Sequence, residues 1–142
     1  MTPRYLLDTD ICSYAIKGGY PTLDRRLRAT EPGQIAISAI TRAELRYGLA
    51  LRPTATRLQQ LVETFLRFVI TLSWDAATAD SYGVIRAALH HAGQPIGDHD
   101  TLIAAQAVTA NLILVTHNRA HFSRIDGLCC QDWASDAPHQ TD

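Results

Sequence analysis

Three groups of acidic residues carry the chemistry legible in this chain. Asp8-Thr9-Asp10 abruptly ends the short apolar run Tyr5-Leu6-Leu7. Glu44 stands three residues after Thr41, and Asp98-His99-Asp100 directly precedes Thr101-Leu102-Ile103-Ala104-Ala105. A carboxylate placed where a buried strand leaves the core is paired, caps a helix, or binds something. Each acid has a structural role open to it alone. Asp8 or Asp10 can cap a helix. Glu44 can close a capping box with Thr41. Asp98 and Asp100 suit the positive end of a helix dipole. Together they point to more. Asp100 has no basic side chain beside it in sequence to neutralise it, apart from a histidine, and clustered carboxylates repel one another unless a cation or a proton joins them. Oxygen donors in this number suit a hard divalent ion, Mg²⁺ or Mn²⁺. Such an ion can bind a phosphodiester oxygen and stabilise a departing alkoxide.

The elements that must position these acids follow from apolar pattern and turn residues. Short apolar runs predict strands at 4–8, 34–38, 70–74 and 112–116, with a last edge strand at 128–131. Helices are predicted from Thr9 or Asp10 to Lys17, over 22–29, over 41–51 with Thr41 as cap, over 54–69, over 75–91 with Asp75 as cap, and over 98–110. Residues 117–123 read as a polar turn. Apolar strands alternating with helices predict an α/β fold: a central parallel twisted sheet of four to five strands with helices on both faces. In such sheets the cleft lies beyond the carboxyl ends of the strands. Asp8 follows the first strand and Thr116 to Asn118 follow the fourth, so both belong at one edge. The chain reads as one domain, 1–133, with a disordered tail over 134–142.

Composition narrows the class. A length of 142 residues suits one domain with a real core. No apolar run approaches membrane-spanning length and no signal-peptide core is visible, so a cytoplasmic location is expected, with no membrane partner. The net charge of −1 does not announce a nucleic-acid binder, but twelve of the thirteen basic residues are Arg, which grips phosphate through two parallel bonds. Arg42, Arg46 and Arg119 stand near the acidic blocks and are candidates to hold substrate phosphates. Cys12, Cys129 and Cys130 lack zinc spacing and make no disulfide framework, so all three read as reduced core or near-core thiols. His99 and His117 flank site positions and can touch substrate. His90-His91 reads as a helix end and His121 as part of a turn.

Four blocks of the chain resemble the PIN-domain ribonucleases, and among them the VapC toxins of type II toxin–antitoxin systems. They are Tyr5-Leu6-Leu7-Asp8-Thr9-Asp10-Ile11, the segment from Ile37 to Gly48 around Thr41-Arg42-Ala43-Glu44, the segment Pro95-Ile96-Gly97-Asp98-His99-Asp100 running into Ala105, and Leu114-Val115-Thr116-His117-Asn118 followed by Phe122. The resemblance implies a PIN-like fold with Asp8, Glu44 and Asp100 as catalytic, metal-holding acids. It implies that the Thr116 hydroxyl orders the site and places Asn118 where many relatives have a fourth acid. Asp98 falls where the family often has a non-acidic residue, and with Thr9 it is expected to support the site rather than bind metal. The implied activity is Mg²⁺- or Mn²⁺-dependent endoribonuclease cleavage of structured RNA (a tRNA, initiator tRNA among the candidates, or an rRNA), which inhibits translation and growth. The implied partners are a second copy in a homodimer and a cognate VapB-type antitoxin, in a possible larger hetero-oligomer. Two alternatives stand beside it. Asp8-Thr9-Asp10 also imitates the nucleophile motif of haloacid dehalogenase-like phosphatases, although the one lysine, Lys17, is in the wrong context for them. A non-catalytic PIN scaffold would keep the fold for binding alone.

Overall fold

Strand β1 (Tyr5–Leu7) is the middle of a five-stranded sheet in a computed structural model that describes residues 2–135. On one side lie β2 (Ile35–Ser38) and then β3 (Ile70–Leu72), and on the other β4 (Ile113–Val115) and then β5 (Cys130–Gln131). All four pairings are parallel, and Leu6 stands opposite both Ala36 and Leu114. Parallel strands need covered faces, and the period-two alternation of side chains supplies one core on each. Leu7, Ile35, Ile37 and Val115 join one cluster, with Ile11 and Cys12 of α1 (Thr9–Lys17), Leu23 of α2 (Pro21–Ala29), Leu49 of α3 (Ala39–Ala50) and Phe65 of α4 (Thr56–Phe68). Leu6, Ala36 and Leu114 join the other, with Leu89 of α5 (Ala76–His91), Ile103 and Ala104 of α6 (Asp98–Thr109) and Phe122 of α7 (Arg119–Phe122). The predicted parallel α/β architecture is therefore the observed one.

Of the two acids that could cap α1, Asp8 does so: its Oδ1 accepts from the Ile11 N–H at 2.8 Å. Several other local expectations are corrected. Helix α3 starts at Ala39, and its cap is Ser38, whose Oγ accepts from the Ile40 N–H at 3.0 Å. With the helix beginning that early, Thr41 is inside the first turn and Glu44 in the second, so no capping box forms. Helix α4 starts at Thr56 because residues 53–55 are spent on a turn. The supposed turn after β4 contains α7. Strand β3 ends at Leu72, and β5 is only two residues long.

The carboxyl end of the described chain is tied down. Trp133 and Ala134 are buried in the first cluster, and the Ala134 N–H donates to Asp132 Oδ1 at 2.8 Å. The packed body thus extends past residue 133, and the expected tail from 136 onward lies outside the described residues. Cys12 is buried as expected, but Cys129 is exposed. Among the described residues no helix is long and apolar enough to cross a membrane.

Candidate active site

The carboxyl ends of β1 and β4 open side by side. The Asp8 N–H donates to the Val115 carbonyl at 3.0 Å, and the Thr116 N–H donates to the Gln131 carbonyl at 3.0 Å. This parallel register places the Asp8 carboxyl, 3% exposed, beside the fully buried Thr116. Thr116 Oγ1 accepts from the Asn118 N–H at 3.0 Å, which leaves its own proton for Asp8. Burial pushes Asp8 up from the usual carboxylate range to about 7. The charges of Asp10 and Asp100 push the same way, while bonds from Thr116 and the Ile11 N–H hold it back.

Helix α6 brings Asp100 to this edge in its first turn. Its pKa is raised by burial and then by Asp10 and Glu44, and His121 and His99 oppose the shift. Helix α3 brings Glu44, which Thr9 bonds at one carboxylate oxygen and His99 approaches at the other. Thr41 donates to Thr9, Thr9 donates onward to Glu44 Oε1 at 3.1 Å, and His99 Nδ1 lies 3.4 Å from Glu44 Oε2. The three predicted acids and Thr9 and Thr116 are thus brought to one sheet edge.

The other predicted residues divide. The Asn118 amide donates to His121 Nδ1 at 2.7 Å, and His121 lies within electrostatic reach of Asp100. Asp98 is exposed and lies 3.9 Å from Arg86, in a surface ion pair outside the cluster. Arg42 donates to Thr71 Oγ1 and Arg46 pairs with Glu63 of α4, so the structure sets both against neighbouring elements and not against the acids. Arg119 lines a cavity of about 450 Å³ with Ser123, Leu128 and Cys130. His117 is paired with Asp132, Nδ1 lying 3.2 and 3.1 Å from its two carboxylate oxygens. Two participants went unrecognised in sequence. Asp10, read only as a cap or support, bears electrostatically on both Asp8 and Asp100. His121, read as part of a turn, joins through Asn118, and its spacing three residues on was the available signal.

As placed, no three His, Cys, Asp or Glu side chains among the described residues close into a metal cage. The donor set nevertheless fits a hard ion that keeps its water, because Mg²⁺ is commonly held by one or two carboxylates, with substrate phosphates and water completing the shell. Asp10 and Asp100 push up Asp8, and Asp10 and Glu44 push up Asp100. A divalent cation relieves that repulsion.

The chain belongs to the PIN-domain family, whose model matches residues 5–128. Its curated relatives carry VapC names. The tRNA(fMet)-specific endonuclease VapC of Shigella flexneri is 36% identical over 131 residues, covering 92% of this chain and 98% of its own. Ribonuclease VapC2 of Rickettsia felis is 35% identical over 130 residues, covering 91% and 97%. Among solved structures, DNA-bound VapBC from Salmonella typhimurium contains a chain that matches with a TM-score of 0.87 at 33% identity, over 93% of this chain and 99% of that one. VapBC2 from Rickettsia felis, bound to a DNA fragment from its promoter, matches at 0.84 and 35%, over 91% and 98%. The resemblance read from the four sequence blocks is therefore borne out, and the phosphatase alternative falls away.

Proposed function

We propose that this chain is a divalent-metal-dependent endoribonuclease, the toxin of a toxin–antitoxin pair, which cuts structured RNA and has a tRNA as its first candidate substrate. The observation that carries the reading is the buried carboxyl of Asp8 at the end of β1, with Asp10 and Asp100 in electrostatic reach. Without a cation, such a cluster repels a phosphodiester. The relatives' names supply the rest: a tRNA(fMet)-specific endonuclease, a ribonuclease, and VapBC assemblies on DNA. The partner is accordingly a VapB-type antitoxin, and the working form is a homodimer that enters a larger hetero-oligomer with it.

Asp8 and Asp100 would hold Mg²⁺ or Mn²⁺, and Glu44 adds a third negative charge. When bound, the ion polarises a phosphoryl oxygen and stabilises the leaving alkoxide. Asp8 is fixed for this by its Ile11 and Thr116 bonds, and Glu44 by Thr9 and His99. Asn118 is bonded to His121, which lies within electrostatic reach of Asp100.

Asp8→Asn and Asp100→Asn should each lower RNA cleavage by about a hundredfold or more, relieve growth inhibition in cells, and leave the far-UV circular dichroism unchanged. Full cleavage by a folded, purified Asp100→Asn protein would overturn the assignment. A non-catalytic scaffold would show neither cleavage nor Mn²⁺ binding by calorimetry.

A further inference from the structure

One side of Glu44 opens onto a pocket that the chemistry above does not use. Ile40, Ala43, Glu44 and Tyr47 fall at i, i+3, i+4 and i+7 on α3 and form one stripe. His99 and Leu102, three residues apart on α6, complete the walls. It is an open depression of about 260 Å³, below the range of about 300–1,000 Å³ typical of drug-sized ligands. Ile40, Ala43 and Leu102 make its surface apolar. Tyr47 is 66% exposed, a large aromatic side chain that the core does not claim. Glu44 and His99 are its polar edge, and their 3.4 Å pairing through Nδ1 leaves the exposed His99 ring and its Nε2 open to a ligand.

We propose that this pocket receives an unpaired RNA base next to the cleaved phosphodiester, stacked on Tyr47, with its edge toward Glu44 and His99. The proposal rests on the nuclease reading and gives it a substrate contact. Sequence-selective proteins take RNA mainly where bases are splayed out of the helix, stacking them on aromatic rings and bonding their edges. The pocket offers both, and it shares Glu44 with the acidic cluster, so a base in it lies within a nucleotide or so of the site of cutting. Its size matches one planar ring system, and its single polar edge, Glu44 with His99, can meet the edge of a base.

The test uses a stem-loop RNA carrying a fluorescent purine analogue at one loop position at a time. Binding is measured in the Asp8→Asn background, where cutting is expected to be about a hundredfold slower or more and the repelling charge is smaller. The expected result is quenching at one loop position. Adding Tyr47→Leu should abolish the quenching and weaken binding about tenfold, and Tyr47→Trp should keep both. In the otherwise wild-type protein with Mn²⁺, the Tyr47→Leu loss should fall on KM rather than kcat. An abasic nucleotide at the quenched position should erase the difference between the two proteins. Tyr47 is exposed, so Tyr47→Leu should fold, and its melting curve checks this. Unchanged affinity and quenching with Tyr47→Leu would overturn the proposal. So would unchanged RNA binding together with a loss of dimer in sedimentation, which would assign the pocket to self-association. If the wild-type protein cuts no RNA, the nuclease reading fails and takes the pocket with it. If it cuts and Tyr47→Leu matches it, only the pocket proposal fails.

Discussion

At the scale of single residues, Asp8 combines two demands in one carboxyl group. Oδ1 caps α1, and the group as a whole sits buried among like charges with its pKa at about 7. An ordinary aspartate titrates near 3.8, so between that value and about 7 the folded metal-free chain carries more protons than the unfolded chain. Its stability must therefore fall as pH rises through this window. The contribution from Asp8 is on the order of 4 kcal/mol. Urea unfolding in EDTA between pH 4 and 8 should show this decline, and Asp8→Asn should flatten most of it. Asp100, also raised, should leave a smaller slope. At pH 8, Mn²⁺ should restore stability to the wild-type protein and not to Asp8→Asn, since a ligand bound only by the folded state stabilises it. A pH-independent wild-type stability would contradict the burial of this charge. The sequence showed that Asp8 ends a strand. It did not show that Asp10 points its charge at the same place, because an exposed acid in a first helical turn looks like any other dipole-favoured residue.

At the scale of elements, α1 and α3 are set the same way. In each case the cap is the residue at which the strand ends, Asp8 after β1 and Ser38 in β2, so strand passes into helix with no intervening loop. Sequence pattern placed the cap of α3 three residues late, at Thr41 instead of Ser38, because Thr41-x-x-Glu44 has capping-box spacing. Tertiary context prevailed: Thr41 is fully buried and bonded to Thr9, and Glu44 is free to face the cleft. The two roles of Asp8 can be separated by chemistry. Asn keeps the accepting oxygen and Ala does not, so in EDTA at pH 8 Asp8→Ala should be less stable than Asp8→Asn by about 1 kcal/mol. Equal denaturation midpoints would mean that the cap contributes nothing. The arginines show a limit of linear reading. Proximity in sequence suggested Arg42 and Arg46 for phosphate binding, yet their partners, Thr71 and Glu63, lie on elements that only folding brings alongside.

At the scale of the whole molecule, the sheet order β3-β2-β1-β4-β5 explains why the acids meet. The central strand and its neighbour end together, and both helices that carry the remaining acids begin at the same edge. Strand alternation and the helix start at Asp98 made this legible. The reach of the core to Ala134 was not, because a short polar-flanked tryptophan segment carries no periodicity. The same centre also holds Cys12, fully buried one helical turn beyond Asp8, its thiol pushed well up by burial and by the charges of Asp8 and Glu44. A protonated, enclosed thiol is inert to alkylation, whereas Cys129 is open to reagent. The chain therefore carries its own clock. Cys129 should react with a maleimide at once, and Cys12 only in the moments when the middle of the sheet comes apart. Mn²⁺ should slow the second reaction and leave the first alone, and mass spectrometry of the Cys12 peptide and of the peptide that carries Cys129 with half-exposed Cys130 reads both from one sample. Rapid labelling of Cys12 in the folded protein would mean that the middle of the sheet opens readily despite the full burial of Cys12.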